Sequence, residues 1–251
     1  SLPAAVQELL LVAALYLGYT GSRLLAADDQ TSALRRARHL RDVEAVLHLG
    51  WEPWVNRLFI AHDWLGTFGS YWYATGHYAV TAAVLVWLYR WHGAAYPSAR
   101  TTLALATVAA LACYLLVPTA PPRFVDGFSD VLSLHANAGW WGAEASAPRG
   151  LGPMTNQLAA FPSMHAGWAL WVALAVTGVS RSRVARLLGW TYAGITAVGV
   201  VGTGNHWILD VVVGWAVVGA AWTCTSSAHR RRHSSSVKRV ANAASSSGSN
   251  P

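Results

Sequence analysis

Apolar residues in this chain gather into runs long enough to cross a bilayer. A helical span needs roughly 20 mostly apolar residues. Six segments qualify: residues 2–25, 68–91, 102–117, 161–179, 187–201 and 207–225. The first is blemished by Gln7 and Glu8. The third and fifth are short, which fits tilting or re-entry. Between the first two runs the pattern changes. Leu34, Ala37, Leu40, Val43 and Leu47 recur at three- and four-residue steps, with arginines opposite them. That periodicity predicts an amphipathic helix over 31–48. Such a helix lies on a membrane surface, its arginines salt-bridged to the acids mixed among them. It is read either as a solvated charged face or as one wall of a lateral entrance for a lipid.

The fold class that follows is an all-α integral membrane protein: six transmembrane helices plus an extracytoplasmic amphipathic helix. Residues 1–225 read as a single six-helix membrane domain. Residues 226–251 are His/Arg-rich and then Ser-rich, the composition of a disordered tail.

Composition agrees with the pattern. Of 251 residues, 54 % are hydrophobic and 12 % charged. Soluble domains carry about 25 % charged residues, so an ordinary soluble enzyme is excluded, as is a disordered chain. Cys113 and Cys224 both sit in apolar runs and give neither a disulfide framework nor a zinc spacing.

The charges then set an orientation. The short connections and the tail carry Arg90, Arg100, Arg181, Arg183, Arg186, Arg230, Arg231, Arg232, Lys238 and Arg239 without an acid. By the positive-inside rule that side is cytoplasmic. Both termini are then cytoplasmic, and the long connections 26–67 and 118–160 are outside. The localisation read from this is a multi-pass protein of the cell membrane. The basic start of the tail suits anionic lipids. It lacks the aromatic interleaving or motif of a nucleic-acid binder, so no nucleic-acid partner is expected.

Ionisable groups at the mouths of spans are candidates for chemistry. Arg123 follows the third span in Pro118-Thr119-Ala120-Pro121-Pro122-Arg123. His165 opens the fourth in Phe161-Pro162-Ser163-Met164-His165, and His206 and Asp210 open the sixth. The topology brings all four to the outer face. His206 and Asp210 are four residues apart, so on a helix they share a side. A carboxylate there can fix the imidazole tautomer and leave the other nitrogen as a nucleophile. Ser163 before an apolar helix is a good cap, and the free N–H groups behind it suit an anion. Arg123 offers a planar fork to phosphate oxygens. An anion cradle, a cationic fork and two histidines at one face fit phosphoryl transfer. No carboxylate cluster suited to Mg²⁺ is evident, so neither metal nor cofactor is expected.

The segments PTAPPRF, NQLAAFPSMHAGWAL and GNHWILDVVVG resemble the three signature regions of the type 2 phosphatidic acid phosphatase superfamily. Within it, the chain resembles the bacterial branch similar to inositol phosphorylceramide synthase. The resemblance runs over 71–220 and implies a six-helix fold with an extracytoplasmic site. It implies His206 as nucleophile, Asp210 as its orienting acid and His165 as general acid. Arg123, Ser163 and Met164 fall in the phosphate-binding positions. Two family ligands are absent: Leu116 stands where a Lys is usual, and Val200 where an Arg is usual. Asn156, His77, Tyr73 and Asn205 are the candidates to compensate.

The function expected is hydrolysis of a lipid phosphate or diphosphate through a phosphohistidine. An alternative passes the phosphoryl or phospho-headgroup to an alcohol such as inositol. A third, less favoured reading is a non-catalytic transporter or scaffold.

Overall fold

A computed structural model describes residue 6, residues 30–142 and residues 157–247, with side chains through 227. The run at 2–25 and Asn156 therefore lie outside the described residues. The described chain is helical and contains no strand, only an isolated bridge between Thr119 and Ala159. In chain order the helices are α1 (Gln30–Val46), α2 (Glu52–Ala61), α3 (Asp63–Tyr71), α4 (His77–Trp91), α5 (Tyr96–Leu116), α6 (Val131–Leu134), α7 (Met164–Val179), α8 (Arg183–Gly202) and α9 (Ile208–Ser247). A π-helical turn, Trp72–Gly76, joins α3 to α4 without a break.

Among the described residues three helices are long and apolar enough to cross a membrane: Tyr96–Leu116, Arg183–Gly202 and the stretch Ile208–Ser227 of α9. Met164–Val179 is a shorter apolar helix. Together they mark a membrane protein. The two runs expected to be short are longer as helices. α5 starts at Tyr96, with Pro97 in its first turn. α8 starts behind Ser182, whose side chain accepts from Ala185 N–H. α5 takes Arg100 into its first turns, and α8 takes Arg183 and Arg186, which a hydropathy boundary leaves out.

Small residues let these helices approach closely, as in membrane bundles. The main buried cluster joins Ala99, Ala106, Ala169, Ala173 and Ala193 with Leu88, Trp171 and Val218. Trp171 is fully buried, and its Nε1–H donates to the Ala99 carbonyl at 2.8 Å. A close backbone approach is at Gly214 of α9, where a Cβ would lie 2.3 Å from the Ser163 carbonyl oxygen. Backbone cannot yield as a flexible side chain does. Gly214→Ala is therefore expected to cost about 1–3 kcal/mol through overpacking. Gly219→Ala, placed in open space inside the same helix, serves as the control, expected to hold or slightly raise stability. Thermal unfolding of both variants in detergent checks this.

The amphipathic helix forms as α1, but its surroundings differ from those expected. Ala33 and Ala37 are buried, with Leu34 and Leu40 packed beside them against Ala120, Leu158 and Trp207. Its apolar stripe thus covers protein over the first turns, and only the end, Val46 and Leu47, is exposed. The expected salt-bridging is also corrected. Arg36 Nε donates to the Pro118 carbonyl at 2.6 Å, and Arg35 reaches Ser32. No ion pair among the described residues uses an arginine of α1. Its Glu44 is turned inward and buried.

Candidate active site

Three loop segments meet at one end of the bundle, and backbone hydrogen bonds stitch each to the others. The first is 118–124, leaving α5. The second is 157–165, entering α7. The third is 202–210, between α8 and α9. Thr119 N–H donates to the Leu158 carbonyl at 2.7 Å, and Ala160 N–H returns to Thr119 at 3.2 Å. Arg123 N–H donates to the Gly204 carbonyl, and Ser163 N–H to the Asp210 carbonyl, both at 2.9 Å. The indole N–H of buried Trp207 reaches the Ala120 carbonyl at 3.0 Å. Tyr114 of α5 donates its hydroxyl to the Pro162 carbonyl at 2.8 Å. Gly204 allows the turn between α8 and α9: its φ is +75°, and a Cβ would meet the Ser129 carbonyl at 2.7 Å.

His206 lies in that turn and is 2 % exposed. The Asn205 and His206 N–H groups both donate to the Val200 carbonyl, at 3.2 Å. The His206 Nδ1 is 2.8 Å from the Ala160 carbonyl. A carbonyl only accepts, so Nδ1 carries the proton and Nε2 the lone pair. That Nε2 is buried and has no hydrogen-bond partner among the described residues. Burial drives the His206 pKa down to about 3, opposed by the Ala160 bond and helped by the positive charge of Arg123. The ring is neutral at ordinary pH, as a nucleophile must be.

The sequence reading gave the orienting part to Asp210. The structure divides it. Asp210 Oδ2 stands 3.4 Å from His206 Nδ1, farther than the Ala160 oxygen. Its shorter bond is from Trp207 N–H, at 2.8 Å. The carboxylate thus secures the turn that carries the ring as well as facing the ring.

His165 lies in the first turn of α7, behind the cap formed by Ser163 Oγ and the Ala166 N–H. Its ring centroid is 5.5 Å from that of His206. Ser163 is fully buried, and its Oγ already accepts one bond, which leaves its proton to donate. Met164 opens α7 and is half-buried. Arg123 is clasped: its Nη1 donates to Asn205 Oδ1, and its Nε lies 3.4 Å from Asp130. Asn205 is therefore committed to Arg123. Tyr73 and His77 are brought to the cluster and pack on His165. Leu116 is 79 % exposed and turned away, while Val200 is buried with Ala166 and Val211.

Two residues that sequence reasoning passed over stand behind His206. The first N–H groups of a helix lack intrahelical partners. At α9 they are met by carboxyls from α1 and α2. Ile208 N–H donates to Glu52 Oε1 at 3.2 Å, and Leu209 N–H to Glu44 Oε1 at 2.7 Å. Glu44 and Glu52 are both buried and in contact. Burial, with the hydrogen bond and charge of Glu52, pushes the Glu44 pKa up to about 9 against the Leu209 N–H. Glu44 therefore keeps its proton at neutral pH. A signal was present in the sequence: Leu40, Glu44 and Leu47 share a helical face, so an acid sits within an apolar stripe. Among the described residues no group of three or more His, Cys, Asp or Glu is arranged to hold a metal ion.

A family model described as the PAP2 superfamily matches residues 38–224, well over half of the chain. No curated protein and no solved structure matches it.

Proposed function

The chain belongs to the PAP2 superfamily, the type 2 phosphatidic acid phosphatases, and from that premise we propose a lipid phosphatase acting through a phosphohistidine. Membership supports a phosphatase- or phosphotransferase-type activity in general. The observation that carries the finer reading is the buried, unpartnered Nε2 of His206, beside His165 and within the field of Arg123.

In the first step His206 Nε2 attacks phosphorus, and the bond from phosphorus to the lipid oxygen breaks. His165 gives its proton to that oxygen. Arg123, Ser163 and the N–H groups at the start of α7, Met164 among them, take the phosphoryl oxygens. In the second step water attacks the phosphohistidine and gives a proton to His165. Phosphate leaves, and both histidines return to their starting states. Ala160 and Asp210 keep His206 in the reactive tautomer throughout.

The proposal includes the arrangement in the membrane. Six spans, counting residues 2–25, form one domain over 1–225 in the cell membrane. Both termini are cytoplasmic and the site faces outward. The basic tail, 226–251, lies against anionic lipid. A second reading, transfer to an alcohol such as inositol, is favoured by Leu116 and Val200. These depart from the common pattern as the branch similar to inositol phosphorylceramide synthase does.

The test is a panel of lipid phosphates, diphosphates and phosphodiesters with purified protein, with and without chelator and candidate polyols. Free phosphate that chelator leaves unchanged supports hydrolysis. A phosphodiester formed only with a polyol supports transfer. No turnover of any lipid, with proton-coupled flux in vesicles, overturns both.

A further inference from the structure

We propose that Tyr73 and His77 are positioning residues for His165, holding its ring between a stacked phenol and a second imidazole. The inference rests on His165 being the proton donor of the proposed reaction. Tyr73 stacks on His165 with centroids 4.1 Å apart and planes 18° from parallel. The His77 centroid is 4.0 Å from His165, with the planes at 57°. Both come from the π-helical turn and its first following residue. π-Bulges inside α-helices are frequent at functional sites.

His77 is itself fixed. Its Nδ1 lies 3.1 Å from the Tyr73 carbonyl, one helical turn back. That oxygen only accepts, so His77 carries its proton on Nδ1 and presents a lone pair at Nε2. It is 7 % exposed and also packs on Tyr78 and Trp168. The sequence reading counted Tyr73 and His77 among substitutes for missing phosphate ligands. The geometry places both on the general acid.

The physical consequence concerns charge. A proton donor in this cluster is an imidazolium in a dry site, without a carboxylate on its own ring among the bonds described. The face of a phenol attracts a cation, more strongly in a desolvated site. A parallel stack gives His165 that face, and the same contact fixes the ring plane toward His206. The ionisable groups facing His165 are His77 and Tyr73 from the π turn and α4, and His206 from the turn before α9.

The test compares Tyr73→Phe, Tyr73→Leu and His77→Leu by histidine NMR titration of the full chain in detergent. His165→Ala identifies the His165 signal. Phe keeps the aromatic face and is expected to leave the His165 midpoint in place. Tyr73→Leu is expected to move the midpoint down by about half a unit to one unit, and His77→Leu to move it the same way. The alkaline limb of kcat/KM for phosphatidic acid in mixed micelles follows. A midpoint that stays or rises in both Leu variants overturns the inference. Turnover that survives His165→Ala overturns the parent assignment alone, because the NMR midpoint judges the stack without it.

Discussion

His206→Ala is expected to abolish turnover of the lipid phosphate, by about 10⁴-fold or more, as when a nucleophilic side chain is lost. The magnitude follows from the step removed. The phosphoryl group needs an acceptor in line with the leaving oxygen, and Nε2 is a buried imidazole nitrogen with no hydrogen-bond partner among the described residues. Water entering the space of the missing ring is neither activated nor oriented by Ala160 and Asp210. The folded state should survive, since the ring makes few of the bonds that hold the turn. The Trp207, Ile208 and Leu209 N–H groups keep their acceptors. His165→Ala is expected to lose about 10²–10⁴-fold, the usual worth of a general acid, and less when the leaving group is a good one. Acid-quenched labelling with ³²P-substrate separates the two. The phosphoenzyme is absent in His206→Ala, whereas His165→Ala with an activated leaving group still forms it. A labelled His206→Ala protein, or one with turnover near that of the unaltered chain, overturns the mechanism.

Much of this site was legible because its parts are local. His206 and Asp210 are four residues apart, Ser163 precedes its helix directly, and Arg123 sits among prolines. Spacing and capping rules read such features without knowledge of packing. Helix ends were less legible where hydropathy misleads. α5 and α8 carry Arg100 and Arg186 inside their first turns, so their apolar runs begin later than their hydrogen bonding. Partnerships that cross the chain were not legible. Nothing at residue 160 says that its carbonyl takes the Nδ1 proton of His206. Nothing at Asn205 says that its amide oxygen is spent on Arg123. Those contacts exist because three loops are laced by backbone bonds, and backbone groups carry no residue-specific signal. Glu44 lay between the two cases. Its place on an apolar face was visible, but its partner on α9, in the last span, was not.

Glu44→Ala is expected to lower stability by about 2–4 kcal/mol, combining a lost buried acceptor with the cavity left behind. Leu209 N–H would have no partner in place of a 2.7 Å bond, and Glu52 would keep its burial without the carboxyl it touches. Activity should fall with stability, because the same turn carries His206. Glu44→Gln separates charge from shape. Its amide oxygen can still accept from Leu209 and its NH₂ can donate to Glu52. With the Glu44 pKa raised from 4.5 to about 9, the native side chain is already neutral at pH 7, so Gln should leave both fold and turnover close to normal. The pH dependence gives the sharper test. Below about 4.5 the carboxyl is protonated in the folded and unfolded chains alike, and its contribution is complete. From there to about 9 the unfolded chain releases the proton while the folded one retains it, so stability falls as pH rises. The Tm in detergent should therefore decline between pH 5 and pH 9, and Glu44→Gln should flatten that decline. An equal slope in both proteins would mean that Glu44 does not hold its proton behind His206.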